Sequence, residues 1–470
     1  MRQFTLSLAV LIMTSATSSA SEPAGGASGP ASRQGRLRPI VEAEQEVYSY
    51  RPADNGAGPM WCFGNTCVVR VGEQVLASGI RTLEDHKPLN NVRWELWRLT
   101  DKTWRRLSDG NDSHEREPCP LVCFDDGRVF LSTNPSSCPP DKYDGPATPL
   151  VLQFRPGATN GWETLTPEWD RQIAFGGHTY RSFAADPDRR ELILFYNTGY
   201  DRTYWTFLDA SSRWAFRGEL EFPWGAEYDK PQPVRVCYPT VQLTGRKVHF
   251  CGVSDVVEPY QAWRDYKKKL TGREWDYDFR RLFYTWSDDI AGGKFHKWVE
   301  IASRDKTAGW IMPCDLWAAA DGRVHLLWIE RAIDTRLRKD FFPDAKQSIA
   351  LNYAVVRDGK AVLRTAVQRW DEGRPGPEPG RGRFHVTPDR RLLVVYYGHG
   401  RDRDGKAIAE NRLVEIDAQG QPGPPVKIEL RRPMEAFFTA GVRGGSAPSM
   451  VIDLLGECEQ TIRYVRIRLQ

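Results

Sequence analysis

The feature that most constrains this chain is a repeat. A short strand, a tight turn and a second strand rich in Val, Leu, Ile, Phe and Tyr recur as CVVRVGEQVLASG, LVCFDDGRVFLST, RSFAADPDRRELILFYN, TVQLTGRKVHFCG, LWAAADGRVHLLWIE, FHVTPDRRLLVVYYG and AGVRGGSAPSMVIDLL. The turns centre near Gly72, Gly127, Asp188, Gly245, Gly322, Asp389 and Gly445, with successive spacings of 55, 61, 57, 77, 67 and 56 residues. Asp-Gly, Thr-Gly and Pro-Asp are turn chemistry, because glycine supplies a positive φ and proline presets a negative one. After most hairpins comes a second, aromatic one, with Trp104, Trp162, Trp214 and Trp298 near the start of its last strand. Four strands per unit, seven times, reads as an all-β, seven-bladed β-propeller; six blades plus an extra sheet is the competing count. The seventh unit has only TIRYVRIRLQ (461–470) after its hairpin, so its fourth strand is expected from EVYSY (46–50), joining the two ends of the chain in one blade. The best helical pattern, 260–281, lies in an insertion.

Residues 1–20 carry Arg2, a short apolar core from Phe4 to Met13 and small residues at Ser18-Ser19-Ala20, the pattern of a signal peptide cleaved near Ala20. Residues 21–38 read as a flexible leader and 39–470 as one propeller domain. A secreted or periplasmic protein, monomeric, is the expectation. The net charge of +4 on 470 residues, with no dense Lys/Arg block, gives no basis for nucleic-acid binding. Beyond the N-terminus no apolar run is long enough for a membrane span. Export makes the nine cysteines candidates for disulfides. Cys237 and Cys251 flank Thr244-Gly245 almost symmetrically and are expected to pair; Cys62–Cys67 and a pair among Cys119, Cys123 and Cys138 are within reach. No metal site is expected, since there is no CxxC and no histidine at zinc-finger spacing, and no cofactor.

In a propeller the starts of the inner strands converge at one channel mouth. Here they carry Cys62, Cys119, His178 with Tyr180 and Arg181, Arg235 with Tyr238, Asp315, Arg383 with His385, and Phe438. Aromatic-rich loops at 255–280 and 330–347 add wall to that face. Rings stacked on sugar faces, with charges for hydroxyls or carboxylates, suit a glycan. His249 and His325, mid-strand in apolar runs, read as structural.

The stretch 176–300 resembles the BNR-type, sialidase-like propeller superfamily, and more narrowly the branch that includes ulvan-lyase-like polysaccharide lyases. The residues that carry this are GGHTYRSFAADPDRRELILFYN (176–197), PVRVCYPTVQLTGRKVHFCGVSD (233–255) and RRLFYTWSDD (280–289). Ser287, Asp289, Gly292 and Trp298 form a stretched relative of the Asp-box. The lyases of that branch carry a histidine in an earlier repeat, where this chain reads CPLVC (119–123). The resemblance implies β-elimination on a uronate-containing glycan. That reaction needs a cation for the carboxylate, a base for the adjacent proton and an acid for the leaving oxygen. His178 would be the base, Tyr238 the acid, and Arg235 or Arg181 the cation, with Tyr180, Arg181, Asp315, Arg383 and His385 binding substrate. A non-catalytic glycan- or protein-binding propeller and a sialidase-type hydrolase are the alternatives.

Overall fold

A computed structural model describes residues 38–155 and 161–470; the expected signal peptide and the expected leader up to residue 37 lie outside them, and Arg38 exchanges backbone hydrogen bonds with Gln470. Seven four-stranded antiparallel sheets form the ring of a seven-bladed propeller. The inner strands are Val68–Val71 in blade 1, Leu121–Cys123 in blade 2, Ser182–Asp186 in blade 3 and Val236–Thr244 in blade 4. Trp310–Ala318, Gly376–Val386 and Phe437–Thr439 follow in blades 5, 6 and 7. Each touches the next around a closed cycle, with Phe437–Thr439 returning to Val68–Val71.

The ring closes where the two ends of the described chain meet. Pro39–Ser49 forms the outer strand of blade 7 on Thr461–Leu469, from Pro39 opposite Leu469 to Ser49 opposite Thr461. This strand begins seven residues before EVYSY, and Glu42 in the added part pairs with Arg466 (2.9 Å) and Arg468 across the ladder.

The recurring tryptophans act as spacers. Trp104 of blade 1 packs edge-on against Tyr464 of blade 7, with ring centroids 5.2 Å apart. Trp162 of blade 2 meets Trp94 of blade 1 at 5.3 Å, and Trp298 of blade 4 donates its indole N–H to Glu221 of blade 3 at 2.8 Å. Each reaches back to the preceding blade. A large flat side chain at a fixed place in the repeat therefore fills the wedge that opens between diverging sheets.

Two local readings change. The insertion between the second and third strands of blade 4 is helical only over Gln261–Thr271, stopped by Gly272 in the left-handed conformation. The expected Cys237–Cys251 disulfide is absent, and both thiols are free and buried. The two-residue turn is Gly245-Arg246, with φ of 54° and 67°, so Thr244 pairs with Lys247 and Cys251 lies opposite Thr240. A bulge then sets Cys237 opposite Val253. A turn one residue later than the sequence suggested separates the two cysteines along the ladder.

Candidate functional site

The site is built around a segment that is not a strand. Residues 58–67 form successive turns over the channel mouth and touch several blades. The Asn65 side chain donates to the Arg181 carbonyl and accepts from the Phe183 amide, both at 2.8 Å, in blade 3. The Thr66 hydroxyl donates to the Thr439 carbonyl of blade 7 (2.9 Å), and its carbonyl accepts from Leu121 of blade 2. A Cβ on Gly64 would stand 2.0 Å from the Pro239 carbonyl of blade 4, so only glycine permits this approach. The Sγ atoms of Cys62 and Cys67, at the ends of this plug, lie 3.6 Å apart as thiols.

The plug presents Trp61 and Phe63 to the candidate residues. The Trp61 ring lies 5.3 Å from His178, 5.1 Å from Tyr180 and 5.4 Å from Tyr238. His178 and Tyr180 are 4.4 Å apart, and Tyr180 and Tyr238 5.0 Å. Four rings thus share one centre, with the His178 side chain 30% exposed. Tyr180 and Tyr238 both sit at positive φ, 42° and 49°, a conformation uncommon for a bulky residue and concentrated at functional sites. In Tyr238 it belongs to the bulge that interrupts the ladder between Cys237 and Thr240.

His178 is held by Glu117. Its Nδ1 lies 3.1 Å from Glu117 Oε1, and Thr179 donates its amide (2.7 Å) and hydroxyl (2.9 Å) to the same carboxylate. Burial alone would push Glu117 up. The His178 contact, Arg181 and the Thr179 amide outweigh it and hold Glu117 below the usual carboxylate range. An ionised Glu117 accepts the Nδ1 proton and leaves Nε2 with its lone pair, the tautomer a general base needs. Tyr238 is pushed well up, chiefly by burial, so its hydroxyl stays protonated and able to donate.

Arg235 is present but already matched. Its guanidinium lies 2.5 Å from Asp255 and over the rings of Tyr180 (5.4 Å), Tyr200 (4.2 Å) and Tyr277 (5.5 Å). Burial raises the Asp255 pKa, with Arg235 and the Tyr180 hydroxyl offsetting part of that rise. Arg381 of blade 6 differs from Arg235. It stacks 3.5 Å over Phe63, whose ring lies 5.2 Å from Tyr238, and no described carboxylate is within ion-pair distance of it.

The remaining candidates lie elsewhere. Arg181 is 2% exposed, bound to the Pro118 carbonyl (2.9 Å) and to Glu115 (3.3 Å), so it faces the core and not the mouth. Asp315 is buried against Arg443 at 2.6 Å and accepts from the Phe384 amide at 2.9 Å. Arg383 donates to the carbonyls of Phe437 (3.1 Å) and Cys314, and His385 Nε2 lies 2.7 Å from the Ser449 carbonyl. Asp315 and Arg383 line a channel cavity of only about 20 Å³. Of the five residues expected at the substrate, these four join blade to blade, and only Tyr180 lies at the mouth. Among the described residues no group of three His, Cys, Asp or Glu is placed to hold a metal ion. No described helix is long and apolar enough to cross a membrane.

Glu117, Asp255, Trp61 and Arg381 were missed in the sequence. Glu117 stands two residues before the CPLVC segment that drew attention, and Asp255 ends the quoted 233–255 stretch. Trp61 and Arg381 carried no signal, because they come from turns and strand irregularities that a hairpin repeat does not specify.

No family model matches the chain, and no curated protein matches it. Among solved structures it is similar to a polysaccharide lyase PL25 ulvan lyase bound to -[GlcA(1-4)Rha3S]-. The TM-score is 0.50 and the identity 13%, over 91% of this chain and 95% of that one. A second PL25 ulvan lyase structure gives 0.50 and 12% over the same shares. A GH93 α-L-arabinofuranosidase of Fusarium graminearum with arabinobiose gives 0.42 and 10%, over 91% and 98%. At this identity the likeness to the ulvan lyases shows a common propeller fold.

Proposed function

We propose that the protein is an exported polysaccharide lyase-like enzyme that cleaves a uronate-containing glycan by β-elimination. The observation that carries this reading is the Glu117-held His178 sharing the Trp61 and Tyr180 rings with Tyr238, near Arg381, a cation with no described carboxylate within ion-pair distance. In this reading they serve as the base, acid and counter-charge of the reaction. The ulvan lyase with the same fold, bound to a GlcA-containing saccharide, supports the choice of substrate class.

In this reading the uronate carboxylate pairs with Arg381, which favours negative charge developing on the sugar acid. His178 Nε2 removes the proton on the carbon beside the carboxylate. That electron pair forms the new carbon–carbon double bond, and the bond to the glycosidic oxygen breaks. The departing oxygen takes the Tyr238 proton. Glu117 fixes the His178 tautomer and stabilises the imidazolium that forms. The Asp255–Arg235 pair fixes Tyr180 against Tyr238 as a positioning element, and Trp61 offers a ring face to a sugar.

The test is a screen of uronate polysaccharides for absorbance from unsaturated uronyl products. Wild type is expected to generate signal on at least one polymer, and His178→Ala on none. Binding without new absorbance on any polymer would replace this reading with that of a glycan-binding propeller.

A further inference from the structure

Next to the mouth lies a groove of about 650 Å³, walled by the blade 4 and blade 5 insertions. That volume is within the range of about 300–1,000 Å³ usual for ligand sites. Tyr277 and Phe279 line it and also belong to the mouth: Tyr277 stacks on Arg235, and Phe279 lies 6.0 Å from Tyr238. A chain leaving the reacting centre on this side would enter the groove directly.

The groove's charges divide into two kinds. Arg336 is held by Asp334 (2.7 Å) and Asp276 (3.0 Å), and Arg338 by Glu372 (2.8 Å). Lys267, 3% exposed, is held by Glu258 at 2.5 Å and Asp276 at 3.2 Å. Arg331 differs. It is exposed, lies 5.5 Å over the Trp310 ring, and has no described carboxylate within ion-pair distance. The cross-strand pairing of Trp310 with Arg331 fixes that stack in the sheet. Trp370, its indole N–H donated to the Arg374 carbonyl (2.9 Å), adds a second half-buried ring to the wall.

We propose that this groove is a binding subsite for units of an anionic polysaccharide beyond the cleaved bond. Arg331 is the counter-charge for one acidic substituent, and Trp310 and Trp370 are stacking faces. The inference rests on the proposed function for the direction of the chain, but its binding claim stands on the groove alone. Carboxylate and sulfate ester share the chemistry Arg331 recognises, a compact oxyanion met by a planar guanidinium.

The experiment measures affinity electrophoresis of the full chain against polygalacturonate (carboxylate only), carrageenan (sulfate only) and dextran (neutral). Variants are Arg331→Ala, Arg331→Lys and Trp310→Ala, each checked for an unchanged melting midpoint. Arg331→Ala is expected to weaken retention on one of the two anionic polymers about tenfold, with Arg331→Lys between the two and the effect fading at high salt. Loss on polygalacturonate assigns a carboxylate, and loss on carrageenan a sulfate. Wild-type retention by Arg331→Ala on both overturns the proposal, as does no retention of wild type on either. If Trp310→Ala does not fold, the two Arg331 variants decide. Arg331-sensitive retention with no turnover anywhere leaves this subsite standing and removes the lyase reading.

Discussion

The mouth and the channel of this propeller are made of the same residue types. Each holds arginines, a histidine and buried carboxylates, drawn from neighbouring positions of the same repeat. In the channel every such group has a protein partner: Arg443 for Asp315, backbone carbonyls for Arg383, the Ser449 carbonyl for His385. At the mouth His178 keeps a part-exposed ring with one nitrogen committed to Glu117, and Arg381 has no described counter-ion. Residue type at a strand start does not separate structure from chemistry. Partner count and exposure do, since a group already satisfied inside the protein gains little by meeting a ligand.

The sharpest way to break this comparison is to remove one group from each region. Asp315→Ala leaves the half-buried Arg443 without its counter-charge and the Phe384 amide without its acceptor, and is expected to cost about 3 kcal/mol, seen as a large fall in the urea midpoint or loss of soluble protein. His178→Ala is expected to lower turnover by about 10²–10⁴ with little change in midpoint. If Asp315→Ala folds normally and His178→Ala unfolds the chain, the two regions have been assigned the wrong way round.

Tyr238→Phe comes next. It removes one hydroxyl and little packing area, so the midpoint should move by less than about 1 kcal/mol. Turnover on an identified substrate should fall at least tenfold, by loss of the proton donor. Unchanged turnover would pass the acid role to Tyr180, 5.0 Å away.

Acid should reach a third set of groups, two buried histidines inside the blades. His249 and His325 sit on the second strands of blades 4 and 5, each with Nδ1 on a third-strand tyrosine hydroxyl: Tyr284 at 2.8 Å, Tyr353 at 2.6 Å. Burial lowers both to about 4. In the unfolded chain they titrate near 6.5, so between those values the unfolded state binds more protons. The stability they preserve is complete above pH 6.5 and is lost as pH falls toward 4, up to about 3 kcal/mol each. Urea midpoints measured from pH 7 to 4.5 should fall, and His325→Gln should flatten that fall. An unchanged slope would show that His325 is not buried.

How much of this could be read from the chain follows from periodicity. The hairpin repeat gave seven blades and the joined ends because turn glycines, alternating strands and spacer tryptophans are local signals that recur. It also brought His178, Arg235 and Tyr238 to one face, since that follows from where inner strands begin. What it could not carry was pairing. Nothing in PVRVCYP says that Arg235 is matched by Asp255, and nothing in GRGRFHV separates Arg381, at the mouth, from Arg383, two residues on and buried. That distinction comes from a bulge between Pro379 and Gly382 and from the plug bringing Phe63 beneath Arg381. The cysteine expectation failed for a related reason, a turn placed one residue off.

The finest comparison is between the two arginines that flank Tyr238. Arg235 is buried, paired with Asp255 and ringed by tyrosines; Arg381 is half-buried and unpaired, and burial pushes its pKa down without removing its charge. If charge availability decides, Arg381→Ala should raise the KM for an anionic glycan about tenfold, and Arg381→Lys should restore part of it. High salt should narrow the gap between wild type and Arg381→Ala, because the lost interaction is between charges. Arg235→Ala should act differently. It strands Asp255 in the protein, so the midpoint falls and kcat falls with it as Tyr180 loses its position. A rise in KM from Arg235→Ala at an unchanged midpoint, with none from Arg381→Ala, would return the carboxylate to Arg235. The Asp255 pair would then have to open when substrate binds.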